Sequence, residues 1–236
     1  MPVRVSINPL PWESAFFGCA TTRLDLDGDL LPLEEALRHP ADLWQIKVPA
    51  DRLEAIDILC QQGFQLAEGE ADLAINIKRT ERQSGIRIAR ESQIDALRAA
   101  AAQIFVQSRF RAPWFDADAS ARFYAQWIEN AVRGTFDHQC LIASDEAGAL
   151  LGFISLRETE GEVRVGLLGV LPHAQGNGVG QRLLLAGADW GRVRQLGRLR
   201  VATQLSNLPA MRLYLRSGAR LESTAYWFYR KGHDPI

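Results

Sequence analysis

The chain is poor in several residue types that would point to common functions. Of its 27 basic side chains only three are lysines: Lys47, Lys78 and Lys231. There is no basic surplus, because 28 acidic residues bring the net charge to −1. That argues against a broadly basic nucleic-acid binder, whose affinity comes from neutralising phosphates. The three cysteines, Cys19, Cys60 and Cys140, are odd in number, far apart and without a CxxC pair. Neither a disulfide framework nor a metal site is expected, and a reducing, cytoplasmic compartment is the default. The opening MPVRVSINPLPWESAFFG lacks the apolar stretch of a leader peptide. No run of about 18 apolar residues is present, so no membrane insertion is expected.

What is present suits a globular protein: 236 residues, 47% hydrophobic and 23% charged. That length accommodates one large domain or two small ones, at roughly 100–200 residues each. The charge is unevenly divided. Residues 1–84 hold 8 basic and 14 acidic side chains, a balance of −6, and residues 85–236 hold 19 and 14, a balance of +5. The 24 arginines suit bidentate phosphate or carboxylate binding. Codon usage would explain the same excess, and both readings stay open.

Periodicity predicts short strands at Val3–Ile7 and Thr21–Leu26, a helix from Arg52 to Gln61 stopped by Gly63, and a strand bearing Leu73, Ile75 and Ile77 on one face. Large apolar residues look sparse here, so this part is expected to dock on the rest of the chain. The polar stretch Thr80–Gly85 reads as a linker. Beyond it come a strand at Ile86–Arg90, a helix carrying Ile94 to Ile104, a loop at Ser108–Ser120, and a helix over Ala119–Val132 that its aspartates and serine are suited to cap. A hairpin turning at Asp145–Gly148, a strand at Glu162–Pro172 and a helix from Gly178 to Arg194 follow. The chain closes with a strand, a helix at Leu208–Ser217 and a strand at Ala219–Tyr229, which would either cover a core or pair with a second subunit.

The chemistry centres on VGLLGVLPHAQGNGVGQRLLL, where a strand ends and a glycine-rich turn, Gln175, Gly176, Asn177, Gly178, Val179 and Gly180, opens a helix. Free N–H groups and the helix dipole at such a place favour a phosphate. A nucleoside-triphosphate loop would need Gly-Lys-Ser/Thr, which is absent. A dinucleotide loop would need GxGxxG, and here the third glycine comes one position early. The spacing Q-x-x-G-x-G resembles the pyrophosphate loop of the GCN5-related N-acetyltransferases, which take acetyl-CoA as cosubstrate. The segment from Asn207 through Ala210 and Tyr214 to Gly218 resembles that family's N-x-x-A-x-x-x-Y-x-x-x-G, with Ala219 where the family usually has phenylalanine.

The resemblance implies an α/β (α+β) fold. Residues 85–236 would form a mixed, mostly antiparallel sheet flanked by helices. Residues 1–84 would form a smaller N-terminal α/β domain helping to make the acceptor cleft. It also implies that the strand before the loop splays from its neighbour, so that Leu168, Gly169 and Val170 meet the pantetheine arm, and that Asn207 and Tyr214 approach the coenzyme. The opening residues, GFQLAEGEADLA, the block SRFRAPWFDADASARFYAQWIENAVRGTFDHQCLI and the ending ESTAYWFYR resemble sugar-nucleotide members of the family. These N-acetylate dTDP-4-amino-4,6-dideoxy-D-galactose in enterobacterial common antigen biosynthesis. The implied partners are acetyl-CoA and this dTDP-amino sugar, in a homodimer.

Direct transfer needs a proton donor for the leaving sulfur, and Tyr214 suits it. A base is less constrained by the residues: Glu68, Glu70 and Asp72 cluster on one strand, solvent would also serve, and the resemblance favours Glu68. Arg109 and Arg111 stand among Phe110, Trp114 and Phe115, a composition suited to a nucleotide diphosphate, with Phe17 as a further contact. A structured surface loop would look the same. His138 and His173 read as structural. Acetylation of a protein N-terminus or lysine, and a non-catalytic acetyl-CoA sensor, are the rival functions.

Overall fold

The computed structural model describes residues 3–78 and 83–232. The first part contains β1 (Arg4–Pro9), α1 (Pro11–Phe17), β2 (Thr21–Asp25), β3 (Leu31–Pro32), α2 (Leu33–Ala36), β4 (Leu43–Pro49), α3 (Leu53–Gln61) and β5 (Gln65–Asn76). The second contains β6 (Ile86–Ile88), α4 (Ile94–Ile104), α5 (Ala119–Arg133), β7 (Gln139–Ser144), β8 (Leu150–Thr159) and β9 (Glu162–Val170). It ends with α6 (Val179–Val193), β10 (Arg198–Gln204), α7 (Leu208–Arg216) and β11 (Arg220–Lys231). The linker expected at Thr80–Gly85 lies partly outside the described residues.

The strands form one sheet in the order β3-β1-β2-β4-β11-β5-β10-β9-β8-β7-β6. Among the described residues β2/β4 and β9/β10 are parallel and the other neighbours antiparallel, giving a mixed, mostly antiparallel sheet flanked by helices. β5 lies between β11 and β10, so the sheet crosses residue 84 without a break. β11 is an interior strand with both edges paired, which settles its two readings in favour of the core.

Apolar residues coat both faces. On one, α6 turns Val179, Leu183, Leu184 and Ala188 onto Val163, Val165, Leu199 and Val201, the three-and-four spacing of an amphipathic helix. On the other, α4 and α5 press Leu97, Phe123 and Ile128 against Ile142, Phe153 and Leu167. The N-terminal part has more core than its composition suggests. Trp44, Ile46 and Val48 alternate inward along β4 and pack with Val5, Leu24, Leu59 and Phe64, and with Phe228 of β11. Trp44 is 1% exposed, and burying one such side chain is worth about 2–3 kcal/mol.

Two local expectations change. The strand expected to reach Pro172 stops at Val170, because Pro172 starts a short 3₁₀ turn. Asp118 precedes α5 but its carboxylate does not cap the helix; it pairs with Arg122 at 3.0 Å instead.

Candidate active site

The sheet opens at one place. β9 and β10 pair only through Val163–Leu199, Arg164–Arg200 and Val165–Val201. Past Val165 they part. Gly166 to Val170 still pair with β8 over most of their length, and Ala202 to Gln204 still pair with β5. A cleft of about 960 Å³ occupies the gap, with Leu168 and Val170 on one side and Ala202 and Thr203 on the other. Backbone groups of β9 on that side have no strand partner, and a main-chain ligand edge would satisfy them.

A shift in strand register builds this gap. Ile154 faces Leu168 but Leu156 faces Val165, so two β9 residues oppose Ser155 alone. Side chains secure the bulge. The Ser155 hydroxyl accepts from the Leu167 N–H at 2.9 Å and donates to Asp137 Oδ2 at 2.6 Å. The same carboxylate accepts from Trp127 Nε1 at 2.8 Å and pairs with Arg157 at 3.3 Å. Asp137 is fully buried, so these partners are what make its charge tolerable. A β-carbon on Gly166 would come 2.4 Å from Asp137 Oδ2, which explains a glycine at the bulge.

The glycine-rich turn closes one end of the cleft. Gly176 and Gly178 have φ of +79° and +73°, and a β-carbon on either would point into open space. The absent side chains therefore leave room at the α6 N-terminus without serving internal packing there. Gln175 Nε2 donates to the Val170 carbonyl at 3.1 Å, tying the turn to β9. Of the turn residues, Gln175, Gly176, Gly178, Val179 and Gly180 line the cleft and Asn177 does not. Gly169 does not line it either, because it packs against Phe153 on the other side of β9. At the start of α7, Asn207 accepts from the Ala210 N–H at 3.2 Å. Tyr214, 4% exposed, lines the cleft two turns on. Burial pushes its phenol above the ordinary tyrosine range, so it stays protonated at neutral pH.

The three β5 carboxylates differ. Asp72 is committed to Arg164 at 2.8 Å and Arg200 at 3.4 Å. Glu70 holds Lys47 at 2.5 Å and Trp227 Nε1 at 3.0 Å. Glu68 lines the cleft with no cation in ion-pair contact among the described residues, and accepts the Gly69 N–H at 2.9 Å. Desolvation by burial raises its pKa, with the Gly69 bond and Arg111 acting against it.

The SRFRAPWF loop is placed differently from a simple diphosphate grip. Arg109 reaches the cleft edge, where its guanidinium lies 4.0 Å over the Trp227 ring and donates to Gln45 and the Tyr229 hydroxyl. Arg111 is exposed and donates to the carbonyls of Ala67 and Ala112. Trp114 packs edge-on to Tyr229, and Phe17 sits in a ring cluster with Phe110, Phe115 and Phe123. The structure does not bring Arg111, Trp114 or Phe17 to the cleft wall. His138 Nδ1 accepts the Glu158 N–H at 2.9 Å, a structural contact.

Sequence reasoning missed Asp137, Ser155, Arg157, Arg164 and Lys47. The register shift that gathers the first four carries no local motif. Lys47 offered one weak signal, as one of three lysines, on the polar face of an alternating LWQIKV.

Comparisons with known proteins agree with this geometry. The model of the acetyltransferase (GNAT) family matches residues 99–219. The dTDP-fucosamine acetyltransferase of Escherichia coli O6:H1 is 49% identical over 98% of this chain and 100% of its own length. The mycothiol acetyltransferase of Salinispora tropica is 36% identical over 52% of this chain and 40% of its own. A GCN5-related N-acetyltransferase structure from Sphaerobacter thermophilus superposes with a TM-score of 0.64 at 15% identity, covering 98% of this chain and 78% of that one.

Proposed function

The chain belongs to the acetyltransferase (GNAT) family and is an acetyltransferase, and we propose that it moves acetyl from acetyl-CoA to the 4-amino group of dTDP-4-amino-4,6-dideoxy-D-galactose. The observation that carries the substrate is the 49% identity to a dTDP-fucosamine acetyltransferase along essentially the whole chain, acceptor side included. Enterobacterial common antigen biosynthesis and a cytoplasmic setting belong to the same proposal; the three free cysteines suit a reducing compartment.

The cleft fits the coenzyme. Gly176 and Gly178 leave space where N–H groups of α6 converge, a cradle for pyrophosphate, and β9 offers an unpaired edge to the pantetheine amides. Acetyl-CoA supplies an activated acyl group. The remaining work is the chain's own. Tyr214 holds a proton at its Oη, ready for the leaving sulfur. N–H groups between Leu168 and Val170 stabilise charge developing on the carbonyl oxygen. Glu68, half-buried and without a paired cation among the described residues, accepts the proton of the sugar amine, directly or through one water. We assign residues 1–84 as the unit that completes the acceptor side, since Lys47, Glu68 and Glu70 line it.

A panel of amines with acetyl-CoA tests this reading. Thiol release dependent on dTDP-amino sugars and absent with peptide amines is the expected outcome. Equal turnover with peptides would reject the substrate. Initial-velocity lines should intersect, as direct transfer requires both ligands bound together; parallel lines would reject that mechanism.

A further inference from the structure

Two arginines outside the SRFRAPWF loop stand opposite one another beside the bulge. Arg157 on β8 and Arg164 on β9 are register partners across antiparallel strands. Like charges placed so repel and cost stability unless something compensates them. Here each has one carboxylate: Asp137 for Arg157 at 3.3 Å and Asp72 for Arg164 at 2.8 Å. Asp72 also serves Arg200, so its charge is shared. Both guanidinium side chains remain about a quarter exposed, 27% and 24%, and both line the cleft. A guanidinium carries five donors, and one contact to a carboxylate leaves several directed elsewhere.

Aromatic rings extend the same wall. Tyr124 and Trp127 line the cleft with their rings 6.3 Å apart and nearly parallel. Just outside the cleft lining, Phe136 stands edge-on to Trp127 at 5.6 Å, with the Arg157 guanidinium 4.8 Å from its centroid. Phe136 is 53% exposed, an unusual position for a phenylalanine already flanked by an arginine and a tryptophan. Two forked cations next to partly exposed aromatic rings match a nucleoside diphosphate: forks for the phosphates, a ring for the base. The loop arginines are committed elsewhere, Arg109 to Gln45 and Tyr229 and Arg111 to two carbonyls.

We propose that Arg157 and Arg164 seat the diphosphate of the acceptor, with Trp127 and Phe136 offering ring faces to its base. This rests on the sugar-nucleotide reading above and places its recognition on β8 and β9. The seat lies next to the bulge, so a bound diphosphate would hold the attached sugar against the transfer site.

Calorimetric binding of dTDP to the full chain saturated with coenzyme A tests it. Wild type should bind dTDP better than dTMP. Arg164→Gln should bind dTDP about 10- to 100-fold more weakly, the worth of a charge-assisted hydrogen-bonded contact, with coenzyme affinity unchanged. Arg157→Gln would strand the buried Asp137, so Arg157→Lys is the safer variant there: it keeps the charge and loses the fork. It should lower the preference for dTDP over dTMP. Phe136→Ala, an exposed change, should weaken both nucleotides alike. If all three variants bind dTDP as wild type does, while Arg109→Gln or Arg111→Gln abolishes binding, the seat is in the loop and the proposal is overturned. If wild type binds no dTDP, the sugar-nucleotide reading fails first and the seat with it.

Discussion

In the proposed transfer Tyr214 and Glu68 have opposite proton roles, and burial shifts both groups in the same direction. Raising a phenol's pKa keeps a donor protonated; raising a carboxyl's pKa makes a stronger base once ionised. Tyr214→Phe keeps the ring and removes the proton. It should lower kcat by about 10²–10⁴-fold with coenzyme A affinity kept, as for loss of a general acid; an unchanged kcat in steady-state assays would remove the role. Glu68 must be ionised to act, so kcat/KM should rise with pH through a value above the usual carboxylate range. Glu68→Gln should abolish that acid limb, and a limb that persists assigns it to another group. A carboxyl raised by folding costs stability as pH climbs through its folded-state pKa. The glutamine variant should thus melt no lower than wild type at neutral pH, while being far less active.

At the scale of elements, the β9 bulge does the positioning. Ser155 holds the Leu167 N–H in a place where a regular ladder would have used a carbonyl. Ser155→Ala leaves that buried N–H without its partner and Asp137 Oδ2 with Trp127 Nε1 alone, at a cost of about 1–3 kcal/mol. Chemical denaturation should show that loss. Turnover should fall too, with coenzyme A affinity held by the glycine turn largely intact; an undisturbed kcat would show that the bulge tolerates another support. Elements with strong local signals were legible in the sequence. The glycine turn and the helices α6 and α7 stand where the sequence places them, because spacing and turn chemistry are local properties. β4 carries an alternation as clear as that of β5, yet LWQIKV mixes tryptophan with glutamine and lysine, which hides a strand that buries Leu43 and Gln45 on one face and Trp44, Ile46 and Val48 on the other. Arg157 and Arg164 were illegible for a different reason: they lie seven residues apart and only the antiparallel register sets them side by side. Composition points to the loop arginines but cannot say which partners they find: Arg109 meets Gln45 and Tyr229, and Arg111 two carbonyls.

Across the whole molecule, one sheet makes the acceptor side and the coenzyme side a single machine. β5 is the third strand of one neighbourhood and the donor of Glu68 in another, pairing with β11 and β10 at once. A fragment starting at residue 85 would leave both strands with an open edge where β5 belongs and would uncover the apolar core that Leu73 and Ala71 pack against. It should be insoluble or unfolded by circular dichroism, and a folded, coenzyme-binding fragment would contradict this view of the sheet. The charge division acquires a location as well. The arginine-rich second part holds the glycine-rich turn proposed for pyrophosphate and the Arg157–Arg164 pair, and the acidic first part holds Glu68, the proposed acceptor of the amine proton. The most direct test is to incubate the protein with acetyl-CoA and dTDP-4-amino-4,6-dideoxy-D-galactose and locate the acetyl group by mass spectrometry and NMR. The expected product carries a single acetyl on the sugar nitrogen, formed at the rate of thiol release. Thiol release without an acetylated nucleotide, or acetyl transferred instead to an added peptide amine, would contradict it.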